Sequence, residues 1–334
     1  MPSGWGEGPR SFTAELTRFA ETVPGAHLAP LVARMSRPLG VAVVGRRGVG
    51  RRTVEAALRL HGVRVVATEP DVRVVVIAEA FKPEDEALLG SDPGSTVMVL
   101  TKADVFGATR DGPLAAASRC AAEVAAATGI DVVVMVGLLA TVAELDDELL
   151  GALRTLVAVP AELGSVDAFV TADHPLARAV RARLLDRLDR FGVAHALLAL
   201  ADGAAPAEVV TRLHELSNVD GVLAGLHRVA APVGYRRVQR ALAESRCLHA
   251  RLGDDRLGEF LRSDALAMAV MTAAVDVVEA AGLTVDRGDD AGAHARRAVQ
   301  WSRYARGPID ALHRACAADI TRGSLRLLDR ESGR

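Results

Sequence analysis

Three short stretches hold the residues best suited to chemistry, and each ends a β-branched run. The first is Gly45-Arg46-Arg47-Gly48-Val49-Gly50-Arg51-Arg52-Thr53, between Val41–Val44 and a helical segment at about 51–60. In such a strand–turn–helix, backbone N–H groups can wrap a phosphate while the helix dipole favours its charge. Against the phosphate-loop pattern G-x-x-x-x-G-K-[ST], Gly45 and Gly50 hold the glycine places. Arg51 stands where the lysine belongs, Arg52 where a magnesium-binding hydroxyl belongs, and Thr53 falls one place late. With 30 glycines in 334 residues, chance supplies about two or three such glycine pairs, so the strand–loop–helix context carries the reading. The second stretch is Thr101-Lys102-Ala103-Asp104, after the run Thr96–Leu100. Lys102 and Lys82 are the only lysines in a chain that otherwise uses arginine. The third, Val136-Gly137-Leu138-Leu139-Ala140, follows the run 131–136 and by itself reads as an ordinary strand end.

Positioning these stretches takes strands at 41–44, 63–67, 72–78, 96–100 and 131–136. Helices alternate with them at about 51–60, from Pro83, at about 113–128 and from about Thr141. Continuously apolar strands alternating with helices predict βαβ units, hence an α/β fold with a doubly wound, mostly parallel five-stranded sheet. After Pro160 the β-rich runs give way to Ala-, Leu- and Arg-rich segments. These lie at 174–190, 193–201, 206–216, 219–228, 234–251, 254–281, 291–304 and 308–329, and they predict an all-helical domain. Leu176, Val180, Leu184 and Leu188 share one face there, at four-residue steps. Residues 1–36 read as a helix at about 11–22, carrying Phe12, Leu16 and Phe19, and a loop. The expected organisation is therefore 1–36, then an α/β domain at 37–160, then helices at 161–334.

Over roughly residues 38–160 the chain resembles the P-loop GTPases, with a TRAFAC-like G domain. The stretch Thr101–Asp104 is similar to the family's [NT]-K-x-D motif. That likeness implies that Asp104 accepts hydrogen bonds from a guanine edge while the stem of Lys102 covers the base. Gly137 lies where the family has its Ser-Ala-x loop behind the guanine, with Val136 in the serine's place. Residues 71–89 look like the strand and acidic helix that follow switch II. More weakly, 184–193 and 213–222 are similar to bacterial dynamin-like GTPases of high-GC Gram-positive bacteria. The resemblance implies a minimal P-loop G domain that handles GTP or GDP through Gly45, Arg46, Arg47, Gly48, Gly50, Arg51, Arg52, Thr53, Thr101, Lys102, Asp104 and Gly137.

The departures from that family bear on function. Hydrolysis needs a lysine on the phosphates, a hydroxyl on Mg²⁺, a switch I threonine and a D-x-x-G backbone. Arg51 keeps the charge, but its planar fork is bulkier than an ammonium. Arg52 sets a cation where Mg²⁺ would be coordinated, and repulsion at about 4 Å costs several kcal/mol. Between Gly50 and Val72 there is no room for a switch I loop, and Thr68-Glu69-Pro70-Asp71 stands where D-x-x-G is expected. The expectation is a pseudo-GTPase without catalytic residues, regulatory or scaffolding, that binds GTP or GDP without Mg²⁺ because Arg46, Arg47, Arg51 and Arg52 replace the metal. Its partner would be a true GTPase or a second copy of the chain. One alternative is a slow GTPase completed in trans, and another is a dynamin-like, membrane-associated protein.

Bulk composition excludes other classes. A net charge of −2, 25% charged residues and 3% aromatics give no reason to expect a nucleic-acid partner. Cys120, Cys247 and Cys316 are far apart and odd in number, which fits a reducing cytosol, and no Cys/His cluster has metal-ligand spacing. The N-terminus lacks the pattern of a signal peptide and no apolar run reaches membrane-spanning length, so a cytoplasmic protein is expected. The scattered histidines (His174, His195, His214, His227) and the acid pairs Asp146–Asp147 and Asp289–Asp290 read as surface or capping groups. Membrane contact by the arginine-rich 174–190 is disfavoured by the interleaved Asp186 and Asp189.

Overall fold

A computed structural model describes residues 6–22, 27–90, 92–107 and 110–332. In chain order the elements begin with helices Glu7–Thr22 (α1) and Ala29–Ser36 (α2), strand Val41–Gly45 (β1) and helix Arg51–Leu60 (α3). Strand Val72–Ala78 (β2), the single helical turn Pro83–Glu86 (α4), strand Thr96–Thr101 (β3), helix Pro113–Thr128 (α5) and strand Val132–Val134 (β4) follow. The remainder is helical: Asp147–Ala158 (α6), Val166–Thr171 (α7), Arg178–Ala201 (α8), Pro206–Ser217 (α9) and Val219–Leu252 (α10). Last come Asp255–Arg262 (α11), Asp264–Ala280 (α12), Ala291–Tyr304 (α13) and Ala311–Ser332 (α14). No described helix is long and apolar enough to cross a membrane.

Packing divides the chain elsewhere than at residue 160. One unit comprises Val41–Thr68 and Arg73–Gly225, the other Met1–Gly40, Glu69–Val72 and Leu226–Arg334. The first is an α/β unit around a four-stranded parallel sheet in the order β1-β2-β3-β4, with Val74 opposite Val97 and Met98 opposite Val132. Val74–Ile77 and Val97–Leu100 are wholly buried, which is why these runs are continuously apolar rather than alternating. Helices beyond residue 160 complete this core. Phe169, Leu184, Leu188, Val193 and Leu213 join Ile77, Met98, Leu100 and Leu153 in one cluster, each large side chain stabilising by about 1.5–3 kcal/mol.

The fifth strand, expected at 63–67, is not one. This segment makes a single parallel bridge, Val41 to Val65, through Val41 N–H to Arg64 C=O and Val66 N–H to Val41 C=O, both at 2.9 Å. The physical cause is local. Gly62 takes φ 77° just before it, Glu69 takes φ 48° just after it, and Pro70 brings no N–H to a ladder. β4 is also shorter than the expected 131–136. The segments 219–228 and 234–251 are one helix, α10, running through Pro232, whereas 254–281 breaks at Ser263.

The second unit is helical. Phe12 and Leu16 of α1, Leu31 of α2, Tyr235 and Val238 of α10, Val277 of α12, Trp301 of α13 and Ile320 of α14 share its core. Gly8 lets α1 lie directly on α12, since a Cβ there would stand 2.1 Å from the Ala273 backbone. The Gly8 N–H, free at the start of α1, donates to Asp276 Oδ2 at 2.9 Å.

Candidate functional site

The glycine-rich turn leaves β1 and enters α3 as the sequence implied, and each of its glycines has a distinct reason. A Cβ on Gly45 would stand 2.7 Å from Val76 C=O, so this residue lets β1 end hard against β2. Gly48 and Gly50 take φ 84° and 85°, the left-handed region that side chains avoid. Val49 between them is buried and pins the loop to the core. Gly50 is the N-cap of α3 and offers no side chain; its carbonyl accepts from Thr53 N–H and Val54 N–H at 3.0 and 3.1 Å. The first N–H groups of α3, on Arg51 and Arg52, have no acceptor within the helix. The dipole adds partial positive charge at the same point.

The arginines divide into two kinds. Arg46 is withdrawn from the set expected to neutralise phosphate: its Nε donates to Asp85 Oδ1 at 2.7 Å, and Asp85 is fully buried. The same carboxylate accepts Lys82 N–H at 3.0 Å, so it caps α4 and ties it to the loop after β1. Arg47, Arg51 and Arg52 are exposed. Arg51 reaches Glu55 at 3.5 Å, a loose pair one helical turn away, and no side-chain partner of Arg47 or Arg52 is found among the described residues.

The structure brings the three sequence stretches together. A Cβ on Gly50 would meet Thr101 Oγ1 at 3.1 Å, and one on Gly137 would meet Thr53 Cγ2 at 3.4 Å and Thr101 Oγ1 at 3.7 Å. The loop after β1, the end of β3 and the turn after β4 thus converge on the start of α3. The Thr53 methyl lies against Gly137. Lys102 is exposed and takes φ 57°, ψ 38°, a left-handed conformation that costs a non-glycine residue about 1 kcal/mol or more.

Asp104 lies half-buried in the short 3-10 turn Ala103–Val105. Burial pushes its carboxyl above the usual range, the charge of Asp189 adds to the shift, and Lys102 opposes it. Its own backbone N–H hydrogen-bonds the carboxylate and also opposes the shift, and no other group among the described residues hydrogen-bonds it. Asp189 interrupts α8 at φ 55°, ψ 177°, and its own carboxylate accepts Arg190 N–H at 2.6 Å. Sequence reasoning missed Asp85 and Asp189. Asp85 was legible only as an acid suiting a helix dipole; the helical segments 174–190 and 193–201 did part close to the interruption of α8, but Asp189 was read only as a charge interleaved among arginines.

Two of the acids read as capping groups are caps. Asp146 and Asp290 are N-caps of α6 and α13, accepting Leu149 N–H and Ala293 N–H. Among the described residues, no group of three or more His, Cys, Asp or Glu side chains is placed to hold a metal ion. In comparisons with known proteins the chain matches no family model, no curated protein and no solved structure. The arrangement itself therefore carries the functional reading: an uncapped helix start, two left-handed glycines, exposed guanidiniums and a half-buried carboxylate at the carboxyl ends of parallel strands.

Proposed function

We propose that the α/β unit is a non-hydrolysing relative of the P-loop G domain, which holds the phosphates of GTP or GDP without Mg²⁺ and acts as a regulatory or scaffolding module. One observation carries the reading: Gly50, Thr53, Thr101 and Gly137, read separately from three stretches, meet at the start of α3. Strand order supports it. With the Val65 bridge counted as a fifth parallel segment, the order is 65-β1-β2-β3-β4, and the chain leaves β1 in opposite directions. Such a reversal opens a crevice at the carboxyl ends of the two central strands, the usual ligand position in doubly wound sheets. The loop 46–50 sits at that reversal.

Charge supports the absence of metal. Arg47, Arg51 and Arg52 offer three guanidiniums to a di- or triphosphate, each suited to bidentate contact with phosphate oxygens. Arg46 is occupied by Asp85 and takes no part. Asp104 is the acceptor proposed for a guanine edge; its half-burial and its lack of a partner beyond its own backbone N–H suit that duty, while the nearby Asp189 opposes its ionisation. The proposed partner is a true GTPase or a second copy of the chain.

Titration of the whole protein with fluorescent GDP, GTP and ATP, in Mg²⁺ and in EDTA, tests the reading. Guanine-selective binding that survives EDTA and is lost in Asp104→Ala is the expected result. Absence of binding leaves the unit as a docking surface only, and Mg²⁺-dependent turnover abolished by changing Arg51 overturns the proposal in favour of an enzyme.

A further inference from the structure

A cavity of about 630 Å³ opens within the α/β unit beside the end of β4, walled by α5, by the last turns of α8 and by α9. It is separate from the loop–helix site in its residues and opposite to it in chemistry. Its walls are mainly apolar: Leu114 of α5, Val134–Val136 at the strand end, Leu198 and Ala199 of α8 and Leu216 of α9. Leu198 is 61% exposed, unusual for a leucine unless something covers it. The volume lies in the range that small-molecule sites occupy, roughly 300–1,000 Å³.

Apart from Arg212, the polar side chains of this cavity present acceptors. The Ser118 hydroxyl donates to Leu114 C=O at 2.9 Å, which leaves its oxygen lone pairs open. The Asn218 amide nitrogen donates to Val134 C=O at 2.7 Å, and its amide oxygen lies beside Gly221 at the start of α10. Glu215 is a carboxylate with no cation paired to it among the described residues. Half-buried His195 packs on Phe191, burial pushes its pKa down, the neutral imidazole offers one ring nitrogen as an acceptor, and neither nitrogen has a protein partner among the described residues. The one cation, Arg212, is matched by Asp202 at 3.5 Å. With Asp202, Glu215 and Arg212 counted, the lining carries one net negative charge, which disfavours polyphosphates and other anions.

We infer that this cavity binds a small amphiphile: an apolar body with one hydrogen-bond-donating head, best a primary ammonium, seated among His195, Asn218, Ser118 and Glu215. The ammonium carries three donors and no acceptor, which complements a lining of acceptors, and its charge meets the unpaired Glu215. The inference does not rest on nucleotide binding at α3.

The test is a fluorescence titration of the full chain with dansylcadaverine, an aromatic probe ending in a primary amine. 1-Anilinonaphthalene-8-sulfonate serves as an anionic probe of comparable apolar character. One saturable site is expected, binding the amine at least about tenfold more tightly than the sulfonate. Ser118→Trp, on an exposed turn of α5, should fill the mouth and remove binding of the amine. Glu215→Gln, also exposed and without effect on the core, should weaken the amine several-fold and leave the sulfonate unchanged. If Ser118→Trp does not fold, as judged by its thermal melt, Glu215→Gln decides the matter alone. Equal binding of the two probes, absence of a saturable site, or indifference of the amine to Glu215→Gln overturns the inference. Unchanged GDP titration in the same variants keeps the result separate from the function proposed for α3.

Discussion

The two units treat their polar groups in opposite ways. In the helical unit, buried polar side chains are answered by protein. Asp319 accepts Tyr235 Oη at 2.7 Å, Gln239 Nε2 at 2.6 Å and Arg322 at 2.7 Å. Arg297 donates to Ser324 Oγ, to the carbonyls of Asp286 and Gly288, and lies 2.7 Å from His294 Nδ1. Only Trp301 Nε1 is left over there among the described buried side-chain atoms. At the strand ends of the α/β unit the balance reverses. Arg47, Arg52 and the first N–H groups of α3 face outward without partners among the described residues, and the half-buried Asp104 carboxylate has only its own backbone N–H. Polar groups that a fold needs for itself are closed off, because an open one inside costs about 1–3 kcal/mol. Groups left open at a crevice are the ones available to something else.

The contrast is tested first where the effect is largest. Asp319→Ala orphans Tyr235 and Gln239 together and should cost about 2–4 kcal/mol, read as a fall in the urea midpoint at unchanged slope. Asp85→Ala strands Arg46 and the Lys82 N–H and should cost about 1–3 kcal/mol. Arg52→Glu, by contrast, should change stability by less than about 0.5 kcal/mol while weakening nucleotide binding by an order of magnitude or more. Comparable destabilisation by Arg52→Glu and Asp319→Ala would break the comparison.

Smaller effects sharpen it. Because burial raises the Asp104 carboxyl, the folded state holds its proton more tightly than the unfolded chain does. The stability this lends is fully present below the ordinary carboxylate range and is lost as pH rises through the raised value. Asp104→Asn should therefore remove part of the fall in Tm over that window, measured by melts across the acid range to neutrality. Thiol labelling gives the smallest effect. Burial pushes the Cys316 thiol up to about 12, so exposed Cys247 should react in the native state and Cys316 only on unfolding.

Local signals made a good part of this legible in sequence. Helices 51–60, 113–128 and 291–304 fall where expected, because Gly50 and Pro113 start the first two and Gly129 takes the left-handed conformation that ends α5. The glycines of the loop after β1 were also readable, since left-handed turns leave few other choices. Long-range choices were not readable. Pro232 sits inside α10 where punctuation argued for a break, and Ser263 breaks a helical run by closing α11 with its backbone N–H and capping α12 with its side chain. The withdrawal of Arg46 depended on Asp85, thirty-nine residues on. The sheet's fifth segment had the right composition and too little room between its flanking turns.

The helical unit draws on both sides of the α/β unit in the chain, and this has a consequence during synthesis. Phe12 and Leu16 emerge early, yet the α12 surface they cover, like the Asp276 that receives Gly8, lies far downstream, a separation of 268 residues for that hydrogen bond. At about 5–20 residues per second, the roughly 185 residues between Gly40 and Leu226 occupy the ribosome for on the order of ten to forty seconds. Through that interval the α/β unit can close on itself, while α1 waits with its apolar stripe uncovered. A nascent chain of this design offers chaperones an early, lasting handle at its first helix.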